Sequence, residues 1–243
     1  MSISLQIYHG NPYEFSIKEK LNSKIWIGKE LRPSIRDRLL IIAEKFIDFL
    51  DIVNPEAVVD IQFTGSLANY NYTDYSDIDL HVLIDLDKVG ENRDFIKLIL
   101  KGKGGAWNNS HNITIKDYEV ELYAQDSEEE HASTGIYSVL KDKWVISPSR
   151  QEVDIDKSQI LKKIILFQDR IFDAIKGEAS ERLENLRALK KKIFDMRRAA
   201  LKEGGEYSYE NLAFKAMRRL GFIKVINKEI NKAVDQQLSI NNQ

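Results

Sequence analysis

The sequence predicts an α/β (α+β) fold over residues 1–150 followed by an all-helical domain over 151–243. Three observations predict it. Up to Pro148, short β-branched apolar runs alternate with stretches whose apolar residues recur every three or four positions. Beyond Pro148 only the helical period remains. Glycines then punctuate that helical stretch at Gly177, Gly204-Gly205 and Gly221.

In chain order, Ser34-Ile35-Arg36-Asp37 after Pro33 reads as a capping box with Asp in place of Glu. Ile35, Leu39, Ile42, Ala43, Phe46, Leu50 and Val53 share one helical face, so a helix is expected over 34–53, stopped by Asn54-Pro55. The runs 57–64 and 79–84 have the length of buried strands, and 92–101 has a helical period. Strands are expected at 112–115 and 119–124, with a hairpin of 135–140 and 144–147 turning at Lys141-Asp142. Helices are expected at 155–176, 179–203 and 208–237.

Composition removes several functional classes. The 243 residues include no cysteine, which excludes disulfide frameworks, zinc–thiolate sites and cysteine nucleophiles and suits a reducing cytoplasm. No apolar run is long enough to cross a bilayer, and Met1-Ser2-Ile3-Ser4-Leu5 lacks the pattern of a signal peptide. A cytoplasmic location with no membrane partner is the expectation. Residues 1–150 carry a net −7 and residues 151–243 a net +5, together the −2 of the whole chain. The acidic excess includes Asp74, Asp77, Asp79 and the run 126–130. The basic excess lies in Lys190-Lys191-Lys192, Arg197-Arg198 and Arg218-Arg219. Such a helical face can meet nucleotide or RNA phosphates, although most basic helix faces are simply solvated.

The chemistry concentrates in Ile61-Gln62-Phe63-Thr64-Gly65-Ser66, a spacer, and Asp77-Ile78-Asp79-Leu80. A strand ending in Gly-Ser turns sharply because glycine has no Cβ. The amides and the hydroxyl that follow can hold phosphate oxygens. Asp77 and Asp79, two apart on a strand, face one side and offer hard oxygen ligands suited to Mg²⁺. A third carboxylate on a neighbouring strand would complete a two-metal clamp. Tyr118-Glu119-Val120-Glu121-Leu122-Tyr123 supplies two candidates, Glu119 and Glu121, on one face, and alternation does not choose between them.

These residues resemble the DNA polymerase beta-type nucleotidyltransferase superfamily, tightly over 61–82 and more loosely to 125. The remainder is similar to nucleotidyltransferase-like proteins of phages and bacteria, at His131-Ala132-Ser133-Thr134-Gly135-Ile136-Tyr137 and Glu210-Asn211-Leu212-Ala213-Phe214-Lys215. The resemblance implies a mixed sheet with flanking helices as a catalytic domain over 1–150. It implies transfer of an NMP from an NTP, ATP or CTP, to an acceptor hydroxyl, with Mg²⁺ or Mn²⁺. It places Gly65 and Ser66 on the β- and γ-phosphates, and Asp77 and Asp79 on both metals. Glu121 is the third ligand by likeness to the family's strand, although many members carry the shorter Asp there. The basic helical third suits RNA, including a tRNA end, as the acceptor, and a small molecule, a protein side chain or another nucleotide also fits the reaction. The rival function is a non-catalytic nucleotide-binding or antitoxin-like partner-binding module of the same fold.

Other residues carry weaker signals. Lys101-Gly102-Lys103-Gly104-Gly105 lacks the order of a P-loop and reads as a flexible loop. His9, His81, His111 and His131 show no metal-ligand spacing, and His81 reads as a packed strand histidine. His131 and Ser133 are candidates to line a base pocket, though a helix or turn start is the expected reading. Trp107 and Tyr137 read as core before stacking platforms. Lys162, Lys163 and Lys215 are candidates to reach a triphosphate.

Overall fold

The structure, a computed structural model, describes residues 13–129, 133–151 and 153–240. The chain divides into two compact units: Ser16–Glu152, and a second running from Val153 together with the segment ending at Phe15.

The first unit opens with a small antiparallel pair, β1 (Trp26–Ile27) and β2 (Glu30–Leu31). Helix α1 (Pro33–Leu50) follows and buries Ile35, Leu39, Ile42, Ala43, Phe46 and Leu50. The capping box does not form. Arg32 is the cap residue and makes no side-chain cap bond. Pro33 occupies the first helical position, where its missing N–H costs nothing, so Ser34 lies inside the first turn and not before it. The helix also ends before Val53, because Asp51 turns into the left-handed region at φ 58°.

A six-stranded mixed sheet then forms from β3 (Val58–Thr64), β4 (Ile78–Ile84), β5 (Thr114–Ile115), β6 (Tyr118–Asp126), β7 (Ile136–Ser138) and β8 (Lys143–Ile146). Its order is β5-β6-β4-β3-β7-β8, with β4 and β6 parallel and the other neighbours antiparallel. Helix α2 (Arg93–Ser110) connects β4 to β5.

The period-2 pattern of β4 divides the sheet into two faces. Ile78, Leu80, Val82 and Ile84 are fully buried, while Asp79 and His81 are half-buried on the opposite side. Val120 and Leu122 of β6 join the apolar side, against which α1 and α2 pack. Burying four large aliphatic side chains from β4 alone contributes several kcal/mol, at about 1.5–3 kcal/mol each.

The segment 101–105 is helical, within α2, and not a loop. Lys103 explains part of this. Its ammonium bonds the Leu50 carbonyl at 2.9 Å and Asp51 Oδ2 at 2.7 Å, closing the open carbonyl end of α1. Gly104 is buried where a Cβ would stand 3.8 Å from both the Leu122 carbonyl and the Phe46 ring.

The second unit contains α3 (Lys157–Lys176), α4 (Ala179–Gly204), α5 (Tyr209–Arg219) and α6 (Phe222–Leu238). Its core gathers Ile160, Ile164, Phe167, Ile193, Phe214 and Ile226. The helical stretch expected over 208–237 is divided into two helices at Gly221, one of the glycines that punctuate the sequence there, which adopts φ 78°. Among the described residues no helix is long and apolar enough to cross a membrane.

Candidate metal centre

The turn that ends β3 is built around contacts that exclude side-chain bulk. Gly65 has φ 78° and ψ −165°, a conformation open essentially to glycine alone. A Cβ there would lie 1.9 Å from Asp79 Oδ2. Trp26 holds the following turn, Ser66–Ala68, by donating its indole N–H to the Leu67 carbonyl at 2.8 Å. The Trp26 ring is itself fixed between Phe63, Trp144 and Tyr137, with centroids 4.8–5.5 Å away. The segment before β7 crosses the same turn. Ser133 Oγ accepts the Gly65 N–H at 3.3 Å, and Asn69 bonds Thr134. A Cβ on Gly135 would fall 2.2 Å from the Ala68 carbonyl oxygen.

The spacer between Ser66 and Asp77 is folded back onto the turn. Ser66 Oγ and Ser76 Oγ lie 2.8 Å apart, and the Thr73 N–H donates to Ser76 Oγ at 3.0 Å. Asp77 therefore enters β4 beside the glycine turn. Asp79 is in register with Thr64 of β3 on one side and with Glu121 of β6 on the other.

These pairings bring three carboxylates together. Ligand oxygens of Asp77, Asp79 and Glu121 all lie within 4.8 Å of one another, and the three residues are half-buried. Carboxylates held this close repel one another unless a cation or protons intervene, and hard oxygen donors match Mg²⁺ or Mn²⁺. Strand register also separates the two glutamates that alternation leaves equivalent. Glu119 pairs with Thr114 of β5, before the β4 ladder begins at Ile78↔Val120, whereas Glu121 stands directly beside Asp79.

Beyond the short β5, the outer edge of β6 at Leu122 is closed by a side chain. Asn108 of α2 donates to the Leu122 carbonyl at 2.9 Å and accepts the Leu122 N–H at 3.0 Å. This amide fixes the strand next to Glu121. A sequence reading passes over Asn108, whose one signal is a poor helix former late in an amphipathic helix. Trp26 was equally hidden, since its partners are remote in sequence.

Further along the same face, His81 Nδ1 lies 2.6 Å from Gln125 Oε1, and the ring stacks on Tyr123 with centroids 4.8 Å apart. The Tyr123 hydroxyl donates to Glu121 Oε2. Its pKa is pushed well above the ordinary tyrosine range, first by burial and then by the negative charges of Asp79 and Glu121.

The remaining candidates are placed elsewhere. Trp107 is buried against Phe46 and Phe49 and stacks on His111 at 4.0 Å. Tyr137 is buried beside Trp26 and Trp144. His9 and His131 lie outside the described residues. Lys163 binds Glu210 at 2.8 Å within the helical unit. Lys162 is exposed on α3. Burial pulls the Lys215 ammonium below its ordinary range, with Arg219, Arg197 and Arg218 acting in the same direction against Glu206. Of the basic runs, Lys191 and Arg198 share Asp195, and Arg197 lies over the Phe214 ring at 4.4 Å. In the acidic run, Asp126 and Glu128 bind Arg93, and Glu129 binds Lys97. No family model and no curated protein sequence matches the chain.

Proposed function

We propose that the chain is a metal-dependent nucleotidyltransferase, moving an NMP from an NTP, ATP or CTP, to an acceptor hydroxyl with pyrophosphate as leaving group. The observation that carries the reading is the meeting of Asp77, Asp79 and Glu121 beside the Gly65-Ser66 turn. In this reading the mixed sheet and its helices form a nucleotidyltransferase-type catalytic domain.

The donor set fits a divalent cation pair. Three carboxylates supply only oxygen, and the glycine turn leaves Asp79 Oδ2 in a space that any Cβ would fill. Asp77 and Asp79 would hold both ions, Mg²⁺ or Mn²⁺, and Glu121 the one on the acceptor side. Bound there, such ions neutralise triphosphate charge and lower the pKa of an acceptor hydroxyl. The protein contributes position. The Gly65 turn sets backbone and the Ser66 hydroxyl beside the ligands as donors for the β- and γ-phosphates. Most of the rate enhancement would come from this orientation and from charge placed before the reaction begins. The acceptor is RNA or a small molecule, with the net +5 of residues 151–243 supporting RNA.

The test is incubation with labelled ATP and CTP, Mg²⁺, and separate RNA, protein and small-molecule fractions of a cell extract. The expected result is label in one fraction with matching pyrophosphate release. Asp79→Asn should lower that release by more than about 100-fold, beyond what loss of a group behind a metal ligand costs. NTP binding indifferent to Mg²⁺, with no pyrophosphate from any fraction, would instead identify a non-catalytic binding module.

A further inference from the structure

Glu121 differs from its two neighbours in having one more rotatable bond. A flexible glutamate must lose that freedom to become a ligand, at a cost in affinity. A hydrogen bond from the neighbouring Tyr123 restrains this side chain in the structure. Glu121 and Tyr123 project from the same side of β6, and the Tyr123 hydroxyl donates to Glu121 Oε2. One such bond occupies one of the roughly four lone-pair sites of a carboxylate, so Glu121 keeps capacity for a cation.

Tyr123 is held in turn by the neighbouring strand. His81 and Tyr123 are register partners on β4 and β6, two positions along the ladder from Asp79 and Glu121 and so on the same face. Their rings stack at 4.8 Å with an interplanar angle of 26°. The His81 ring is oriented by the 2.6 Å contact between its Nδ1 and Gln125 Oε1. Gln125, His81, Tyr123 and Glu121 thus form a continuous row ending on the candidate metal ligand.

We propose that Tyr123 is the positioning residue for Glu121, preorganising the third carboxylate of the metal centre through its hydroxyl, with His81 as the stacking support. The inference rests on the metal-site reading above and names the group that makes a glutamate serviceable at this position. Groups standing behind metal ligands typically change affinity by 10–100-fold when removed.

The experiment is Mn²⁺ binding to the full chain, read from the electron paramagnetic resonance of free Mn²⁺, for wild type, Tyr123→Phe, Glu121→Ala and the double variant. Tyr123→Phe should weaken binding about 10-fold or more while leaving the thermal transition in place. In the Glu121→Ala background the same substitution should have no further effect, because the tyrosine acts through Glu121. Glu121→Asp probes the contact without touching the tyrosine. Drawing the carboxylate back by one methylene should also weaken binding and make Tyr123→Phe nearly silent. Wild-type affinity in Tyr123→Phe, or an equal loss from Tyr123→Phe with and without Glu121, overturns the positioning role while leaving the metal site standing. A wild-type chain that takes up no Mn²⁺ overturns the site itself.

Discussion

Two glycine-bearing segments of the α/β unit, Gly65-Ser66 and Lys101-Gly102-Lys103-Gly104-Gly105, look alike in composition and behave oppositely. At Gly65 the backbone has φ 78° and a carboxylate oxygen fills the space of the missing Cβ. At Gly102 and Gly105 the chain is helical, and a Cβ would meet nothing within 4 Å. Of the later three, Gly104 alone has neighbours within 4 Å of the Cβ position, and at 3.8 Å these leave room for a methyl group. A glycine therefore signals a site when something chemically active approaches it, and the approaching group is remote in sequence. Asp79 is that group here.

The largest effect is expected from Gly65→Ala. The methyl must displace Asp79, so Mn²⁺ affinity should fall by at least about 10-fold, as it does when a ligand's support is removed. Stability should fall by about 1–3 kcal/mol from the backbone conformation alone. Calorimetry and Mn²⁺ titration read the two effects separately, and an alanine variant with unchanged metal binding would remove the steric argument. At Gly102 and Gly105 the sign reverses. Alanine there should stabilise the chain by roughly 0.5–1 kcal/mol each by favouring the helix, measured by urea unfolding, without altering metal binding.

Within the second segment, Lys103→Met removes the cation at the carbonyl end of α1. It should cost about 0.3–1 kcal/mol, the usual worth of a cation at a carbonyl end of a helix, and leave the candidate metal centre untouched. The smallest effect is expected away from both segments, at Lys163–Glu210. Lys163 holds the Glu210 carboxyl below its ordinary range, chiefly through their hydrogen bond. Because the folded value is depressed, that stabilisation is present above the unfolded carboxylate pKa, about 4.3, and disappears as pH falls through the folded value. With both side chains partly exposed, Glu210→Gln should cost less than about 1 kcal/mol at pH 7 and nothing at pH 2. Melting curves across that range check it.

Much of the fold was legible because period and punctuation are local. Ile78, Leu80, Val82 and Ile84 alternate as a buried strand must, and Ile35 to Leu50 repeat as a buried helical face. The helical reading of 101–105 was not legible, since three glycines in five residues argue against a helix by propensity. Part of what favours the helix lies elsewhere in the chain, in the Leu50 carbonyl and Asp51 carboxylate that bind Lys103. The candidate site divides in the same way. Gly65, Ser66, Asp77 and Asp79 announce themselves by spacing. The separation of Glu121 from Glu119 needs the β4–β6 register, and the contributions of Asn108, Trp26 and Tyr123 need tertiary contacts.

Under the proposed function, binding of divalent cations by Asp77, Asp79 and Glu121 is what makes binding of a nucleoside triphosphate possible. It is tested most directly by calorimetric titration of ATP and CTP into the full chain, with Mg²⁺ and with EDTA, for wild type and Asp79→Asn. Saturable binding of at least one triphosphate is expected, requiring Mg²⁺ and falling by more than about 100-fold in the variant. Equal binding with and without Mg²⁺, or a variant that binds as wild type does, would contradict it.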